Sequence, residues 1–406
     1  MAKYNYDKTA LKDLGVGAFL KETKVREQHI AEGENTIPTS VYNPNVIASK
    51  LHPAVQYGKI IEVIEHADAK TFKIAPNEDM GCNELAYFRA GQYVSIDMEF
   101  GGAFMSKPYA LSSNPKDALK NNVYSVTVKK NKNGYSSDYV LSNWGVGTSL
   151  TMSGPLGDFY YEPLRDAKNV VALAGGSGIT PIASMAQAIA DGVEDFNLTI
   201  LYGSTKHDVI LLKDLLDDCV SKSNGKIKVV HVLSDEEVEG YEHGFITAEL
   251  IKKYAPEGDY SVFVCGPKAM YNFVEGEIAK IGLPIRRVRY ELAGEYGDPS
   301  KDEEYPKDSA GKTYKVKVVI HGNETEIECK AEESLLHAME TAGIKAPSQC
   351  RSGICGWCHS RLISGKVYVP KKADGRRLAD KKFGWIHPCA SYPLSDIEIE
   401  VFPIVR

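Results

Sequence analysis

Little in these 406 residues is extreme, and each shortage excludes a class of protein. Basic excess is missing: 48 Lys and Arg face 54 Asp and Glu, a formal net charge of -6, so the bulk charge gives no pull toward nucleic acid or an anionic membrane. No basic stripe interleaved with aromatics argues otherwise. Apolar runs able to span a bilayer are also lacking, because the longest uncharged stretch, residues 169–190, is broken by glycines and by Pro181. The start, Met1-Ala2-Lys3-Tyr4-Asn5-Tyr6-Asp7-Lys8, has no apolar core of a signal peptide. Disulfide-scaffold spacing is absent: Cys82, Cys219, Cys265 and Cys329 lie scattered, which predicts a reducing cytoplasm. There are no internal repeats. What remains is 43% hydrophobic residues over a length too great for one ordinary core, so two or three domains are expected.

The texture of the chain then changes four times. Residues 1–51 have mixed charge, weak periodicity and turn-prone sites at Gly33, Pro38 and Pro44; they read as an arm, either packed over a domain or used for docking. Residues 52–161 carry short strand-like runs, such as Gly58-Lys59-Ile60-Ile61-Glu62-Val63 and Val123-Tyr124-Ser125-Val126-Thr127-Val128, which predict an antiparallel β-barrel. Over residues 162–293, apolar runs at 170–174, 198–202, 228–233 and 260–265 alternate with helical stretches at 181–190, 211–222, 247–253 and 268–281. That alternation is the signature of an α/β domain, an open parallel sheet with helices on both faces. Residues 294–311, with Gly297-Asp298-Pro299 and a run of Lys, Asp and Glu, read as a flexible linker. Residues 312–406 open on alternating Tyr314, Val316, Val318 and Ile320, turn at Gly322-Asn323 and return through Thr325, Ile327 and Cys329. Ser334 then caps a helix through Leu335, Leu336 and Met339 that ends at Gly343, which leaves Cys329 as a small buried residue.

The other four cysteines are spaced for a purpose. Cys350, Cys355 and Cys358, with Cys389 further on, follow the plant-type pattern that holds a 2Fe-2S cluster, and the small residues of the stretch Cys350 to Cys358 let backbone N–H groups approach the sulfurs. One rival overlaps. Cys355-Gly356-Trp357-Cys358-His359 also matches a c-type haem attachment site, but that reading leaves Cys350 and Cys389 unexplained and needs an exported chain. His359 then reads as a solvent-facing residue.

Gly175-Gly176-Ser177-Gly178-Ile179-Thr180-Pro181 follows a buried strand and opens a helix, which points bare N–H groups and the positive helix end at a pyrophosphate. Ser177 is no hydrolase nucleophile, since the elbow motif would need glycine at Ile179. Cys265-Gly266-Pro267-Lys268 ends another strand of that sheet, where parallel sheets bind ligands; Cys265 is either a residue beside a nicotinamide or a buried core thiol. Lys107-Pro108-Tyr109-Ala110-Leu111-Ser112-Ser113 brings a cation, a ring and hydroxyls to one strand end, as a flavin requires, and Gly134-Tyr135-Ser136-Ser137 offers a second phosphate-binding turn.

In combination these motifs resemble the ferredoxin-NADP reductase superfamily, in the branch with a C-terminal plant-type 2Fe-2S ferredoxin domain, like phthalate dioxygenase reductase and phenylacetyl-CoA epoxygenase reductase. The resemblance covers residues 53–406 and includes Gly154-Pro155-Leu156-Gly157-Asp158-Phe159 after the barrel. It implies a multidomain fold: a Greek-key flavin barrel, a nucleotide-binding parallel sheet and a β-grasp ferredoxin domain. It implies flavin contacts from Lys107, Tyr109, Ala110, Leu111, Ser112, Thr127, Lys129, Gly134, Ser136 and Ser137. NAD(P) contacts fall to Gly175, Gly176, Ser177, Gly178, Thr180, Pro181, Cys265, Gly266 and Pro267, with Tyr109 and Cys265 at the reacting centre. Phe159 is a candidate to pack on an adenine. Two departures stand out. The family's flavin motif begins with arginine where Lys107 stands, and has serine or threonine at the place of Ala110, so the fork of donors and the hydroxyl facing flavin N5 are both lost.

The implied path runs from NAD(P)H, which yields two electrons as a hydride, through flavin to the cluster, which takes one at a time, and on to a protein acceptor. FAD is expected, with FMN the alternative. NADH is expected, with NADPH the alternative, because Gly203-Ser204-Thr205-Lys206-His207-Asp208 offers neither an arginine for a 2′-phosphate nor an acidic residue directly after the strand. Plant-type clusters sit near about -400 mV, so the reverse direction, a reduced ferredoxin-like partner making NADH, stays open. A carrier protein with a decayed flavin site is the reading from another class. Lys366, Lys371, Lys372, Arg376, Arg377, Lys381 and Lys382 form a basic run against Asp374 and Asp380, either a solvated face or the dock for an acidic acceptor.

Overall fold

The computed structural model describes residues 16–32, 43–131, 134–291 and 294–402. The chain separates into two units, Met1–Lys50 and Leu51–Arg406. The described part of the first is helical, Val16–Glu32 and Asn43–Leu51. Weak hydrophobic periodicity hides such helices, because strong helix formers such as Lys, Glu, Gln and Arg carry Val16–Glu32 by propensity rather than by an apolar stripe. The turn sites Gly33 and Pro38 lie outside the described residues.

The second unit holds three sheets. The first is antiparallel, in the order Ala103–Ala110, Tyr93–Phe100, Ser149–Met152, Gln56–Glu65, Ala69–Pro76, Tyr124–Lys129. An isolated bridge from Leu111 to Val126 links its two margins, which curls the sheet over Phe72, Ile96, Met105 and Leu150.

The second sheet is wholly parallel, in the order Glu242–His243, Ile227–Leu233, Asn197–Ser204, Asn169–Gly175, Ser261–Cys265, Val288–Tyr290. Its central strands are apolar throughout because helices cover both faces. Caps set the helix ends: Thr247 accepts from Leu250 N–H at 3.3 Å, and Gly282, at φ 75, stops Lys268–Ile281. The order of strands reverses between Asn169–Gly175 and Ser261–Cys265, the switch point at which open sheets of this kind bind ligands. Phe159 is buried in this core, 5.3 Å from the ring of Phe263, so the expectation that it meets an adenine is corrected: a ring following Gly157 is drawn into the nearest apolar core.

The third sheet is mixed, in the order Asn323–Lys330, Thr313–Ile320, Ile397–Val401, Ser360–Ser364, Trp385–Ile386. Its hairpin turns through His321 and Gly322, both at positive φ, the geometry that matches strand twist in a two-residue turn. The helix Leu335–Thr341 packs on it, with Ser334 accepting from His337 N–H at 3.2 Å.

The polar segment that joins the second sheet to the third is tied down along its length. Tyr305 is buried, Asp302 accepts from Tyr296 and Tyr368 hydroxyls at 2.7 and 2.9 Å, and Gly297 O accepts from Tyr392 at 2.9 Å. Its charges and tyrosines read as solvated in one dimension and find partners in three.

Candidate functional site

The cysteine loop lies between Leu335–Thr341 and Ser360–Ser364, and Cys389 reaches it from the turn Pro388–Ala390. Arg351 at φ 59, Gly353 at 82 and Gly356 at 72 coil the loop around its own sulfurs. Gly353 admits nothing larger, because a Cβ there would lie 2.0 Å from the Ala373 carbonyl oxygen. The N–H groups of Ser352 and Cys355 donate to Cys350 Sγ at 3.4 Å, and that of Trp357 to Cys355 Sγ at 3.5 Å. The thiols stand two and two. Cys358 Sγ lies 3.3 Å from Cys389 Sγ, while hydrogen bonding from Cys355 holds Cys350 well below the ordinary thiol range. Ser352 Oγ and Trp357 Nε1 are buried without partners. Four paired thiols ringed by N–H donors, with two orphaned donors beside them, fit a 2Fe-2S cluster, whose irons are held by thiolates and whose sulfurs accept hydrogen bonds. Among the described residues no group of three or more His, Cys, Asp or Glu is placed to hold a single metal ion, and the four thiols stand as two pairs. His359 stacks on Trp385 at 4.3 Å and bonds Asp380 at 3.2 Å, so it is engaged by protein rather than turned to solvent.

At the switch point of the parallel sheet the two glycine-bearing turns come together. A Cβ on Gly178 would lie 2.1 Å from Cys265 O, and one on Gly175 would lie 2.5 Å from Met270 Sδ. Only glycine permits that approach. Gly176, at φ 52, has open space above it; no side chain caps the helix Ile179–Ala190, and the Ile179 N–H is met by the Gly176 and Ser177 carbonyls of the turn itself. Thr180 Oγ1 donates to Ser177 O at 3.0 Å, and Pro181 sits in the first turn, where an N–H has no intrahelical partner to lose. Cys265 is buried; burial first, then the Glu291 carboxyl, pushes its thiol up.

Glu291 escaped the sequence reading. Its N–H donates to Val264 O at 3.0 Å, beside Cys265, and burial first, then Asp158 and Cys350, push its carboxyl up to about 8. Tyr271 OH donates to Glu291 O and accepts from Gly266 N–H at 3.2 Å. A polar residue directly after a short edge strand carries no local signal, and only the proximity of Cys265 and Cys350 makes it notable. Glu236 escaped likewise: carried in from beyond Ile227–Leu233, it accepts from His207 Nδ1 at 2.8 Å, so the acidic group missing after Asn197–Ser204 is supplied across the sheet.

Lys107 to Ala110 end the strand Ala103–Ala110, and Ala110 stands opposite Tyr93 in the ladder. The cysteine loop lies beside this strand, with Arg351 Nη1 donating to Ser106 O at 3.1 Å, and burial first, then Cys350 and Cys355, push the Tyr93 hydroxyl up. Tyr109 packs its edge on Trp144 at 6.1 Å. Leu111 is fully buried. Ser112 Oγ, Thr127 Oγ1, Thr71 Oγ1 and His66 Nε2 form a chain with steps of 2.9, 2.8 and 2.8 Å, so the hydroxyls of Ser112 and Thr127 bond one another. Lys129 pairs with Asp68 at 3.1 Å. Gly134 precedes the helix Tyr135–Asn143, with Ser136 half-buried in its first turn and Ser137 Oγ donating to Gly134 O at 2.8 Å. The Lys107 ammonium meets Glu295 Oε1 at 2.9 Å.

The basic run is largely answered from within the chain. Lys371 pairs with Glu304, Lys372 with Glu275, Arg376 and Lys381 with Asp374, and Arg377 with Asp380. Beside it lie exposed Ile354, Leu378 and Phe383 and the exposed Cys355. Among the described residues no helix is long and apolar enough to cross a membrane.

A glycine cradle at the switch point of a parallel sheet, a curled antiparallel sheet and a four-cysteine loop define a modular pyridine-nucleotide oxidoreductase with an iron–sulfur domain. Family models agree segment by segment: an oxidoreductase FAD-binding domain matches residues 66–161, an oxidoreductase NAD-binding domain 172–276, and a 2Fe-2S iron-sulfur cluster binding domain 318–394. The chain is 28% identical over 343 residues to the ferredoxin reductase component of 3-ketosteroid-9-alpha-monooxygenase from Rhodococcus rhodochrous, covering 82% of this chain and 93% of that protein. It is 31% identical over 229 residues to NADH-cytochrome b5 reductase 1 of Candida glabrata, covering 55% and 77%. The solved structure of phthalate dioxygenase reductase superposes with a TM-score of 0.58 at 23% identity, over 86% of this chain and 98% of that one. The chain belongs to the FAD- and NAD-binding oxidoreductases and carries a C-terminal 2Fe-2S iron-sulfur cluster binding domain. It is a flavin and iron–sulfur reductase that passes electrons to a protein partner.

Proposed function

We propose that this reductase draws on NADH, holds FAD in a Greek-key barrel closed at Leu111 and Val126, and reduces an acidic protein acceptor through a cluster bound in a β-grasp domain. A flavin, when bound, accepts an electron pair and releases it singly, which reconciles a two-electron donor with a one-electron cluster. One observation carries the reading: both cofactor regions abut the cysteine loop. Glu291 N–H bonds Val264 O and Gly294 N–H bonds Cys350 O, each at 3.0 Å, so a few residues join the Cys265 turn to the first cluster ligand. From the other side, Ser95 Oγ donates to Gln349 O at 3.3 Å.

The residues divide the work by position. Gly175, Gly176, Ser177, Gly178 and Thr180 present N–H groups to the dinucleotide phosphates, and Pro181 starts their helix; Cys265, Gly266 and Pro267 border the nicotinamide. Tyr109 packs on the flavin ring, with Ala110, Leu111, Ser112, Thr127 and Lys129 along its margin. Gly134, Ser136 and Ser137 form the turn for its phosphate. Cys265 keeps its proton at neutral pH and so acts by shape and by excluding water rather than as a nucleophile. Cys350, Cys355, Cys358 and Cys389 hold the cluster. Glu236 favours NADH, because a carboxylate beside His207 repels a 2′-phosphate and accepts from ribose hydroxyls. Eight cysteines outside any disulfide suit the cytoplasm.

Anaerobic titration with NADH and then with NADPH, following flavin and cluster absorption separately, tests the reading. NADH is expected to bleach both chromophores at far lower concentration than NADPH. A purified protein with neither flavin nor acid-labile sulfide would sink it.

A further inference from the structure

The ammonium of Lys107 is already engaged by a carboxylate of the connecting segment. It donates to Glu295 Oε1 at 2.9 Å, and Arg351 Nε donates to the same oxygen at 2.9 Å. Arg351 follows Cys350 directly, is fully buried, and holds the left-handed conformation that side chains other than glycine rarely adopt. Its Nη1 donates to Ser106 O, the neighbour of Lys107, at 3.1 Å, and its Nη2 to Glu340 Oε2 at 2.7 Å. One guanidinium therefore joins three elements: the flavin-motif strand, the connecting segment and the helix Leu335–Thr341 of the third sheet. Two cations and two carboxylates balance within the cluster. The Lys107 ammonium and all three guanidinium nitrogens of Arg351 meet oxygens, which favours one geometry over several. A phosphate arriving at Lys107 would have to displace Glu295 from a closed network.

We propose that Lys107, Glu295, Arg351 and Glu340 form a positioning lock that seats the cysteine loop against the flavin-motif strand and so sets the spacing for electron transfer from flavin to cluster, with Lys107 serving the lock in place of the flavin phosphate. The inference rests on the flavin and cluster reading above. The lock explains the lysine. An ammonium ending in one point suffices where one carboxylate oxygen is the target, whereas a phosphate is better met by a planar fork. It also explains why Arg351 accepts an unfavourable backbone angle, since that turn sends its side chain inward while the Ser352 N–H remains on Cys350 Sγ.

Glu295→Gln and Lys107→Met separate the two roles, measured on the full chain. Glu295→Gln is expected to leave flavin content and the rate of flavin bleaching by NADH as they were, while stopped-flow shows cluster bleaching slowed at least about tenfold. In the same variant, stripped of flavin as well as loaded, trypsin is expected to cut sooner at Lys301 and Lys307 of the connecting segment. Lys107→Met is expected to retain flavin, and Lys107→Arg to keep wild-type cluster bleaching. Loss of flavin from Lys107→Met, with Glu295→Gln indistinguishable from wild type in both cluster bleaching and proteolysis, would return Lys107 to the phosphate and overturn the lock. If Lys107→Met fails to accumulate, the two Glu295→Gln readouts decide alone: unchanged rates and unchanged cutting overturn the proposal. Wild-type protein lacking either chromophore would instead defeat the underlying functional reading.

Discussion

Two groups of positive charge lie in the C-terminal part of this molecule, and they are held in opposite ways. Around Arg351 the charges are buried or half-buried and shared among three segments: the Arg351 side chain is 0% exposed and that of Glu340 1%, with Lys107 and Glu295 at 22% and 27%. Between Lys366 and Lys382 the charges are mostly local and wet, as with Arg377 and Asp380 three residues apart, where the arginine is 79% exposed. Burial opposes the Glu295 carboxylate, yet the cations of Arg351 and Lys107 overcome it and hold the group below the usual carboxylate range. The contrast teaches that a run of lysine and arginine conspicuous in a sequence can matter less to the fold than one inconspicuous arginine that lies deep.

Arg351→Met tests the contrast most severely. It leaves Glu340 buried beside Glu295 with no guanidinium, and breaking a buried pair from one side costs about 3–5 kcal/mol. Urea midpoints of the variant and wild type measure it. A loss under about 1 kcal/mol would place this network with ordinary surface pairs.

His337 lies at the margin of the buried network and gives a smaller, pH-dependent effect. A hydrogen bond to Glu333 raises its pKa above the ordinary 6.5, against burial, with Glu295 among the carboxylates adding to the rise. Its contribution is therefore complete below pH 6.5 and is lost as pH climbs through the raised value. Because the ring is partly exposed, the loss is at most about 1 kcal/mol. Thermal melts at pH 6 and 8.5 should show that decrement in wild type and lack it in His337→Gln; equal decrements would remove His337 as the cause.

Arg377→Glu should change stability least, within about 0.5 kcal/mol. If the basic run docks an acidic acceptor, the same reversal raises the acceptor KM several-fold at low salt and not near about 1 M salt, where charges more than about 3 Å apart are screened. An acceptor KM unmoved at low salt would make the run a solvated face.

Much of the architecture was legible because it follows from short-range rules. The strands over 170–174 and 198–202 extend to Asn169–Gly175 and Asn197–Ser204, and the helix over 268–281 is Lys268–Ile281, since unbroken apolar runs and a closing Gly282 leave few alternatives. The hairpin through Gly322 and the cap at Ser334 were equally visible. Less legible were the helices of the arm, which lack an apolar stripe, and the connecting segment, whose polar residues are answered by Tyr368, Tyr392 and Arg351. Phe159 was misread for a related reason: a ring after a glycine turn looks available until Phe263 is seen beside it.

By itself, then, the chain of letters determined the chemistry each segment is able to perform. Thiols at fixed intervals and glycines between a strand and a helix constrain the backbone within a few residues, and constraints of that range survive without knowledge of anything distant. Which charge meets which was decided only by the tertiary structure. Lys107 and Arg351 are 244 positions apart in the numbering, and both bond Glu295 because three segments converge on that carboxylate. Electrostatic energy in a poorly solvated interior depends on separations of a few ångströms that no local pattern encodes.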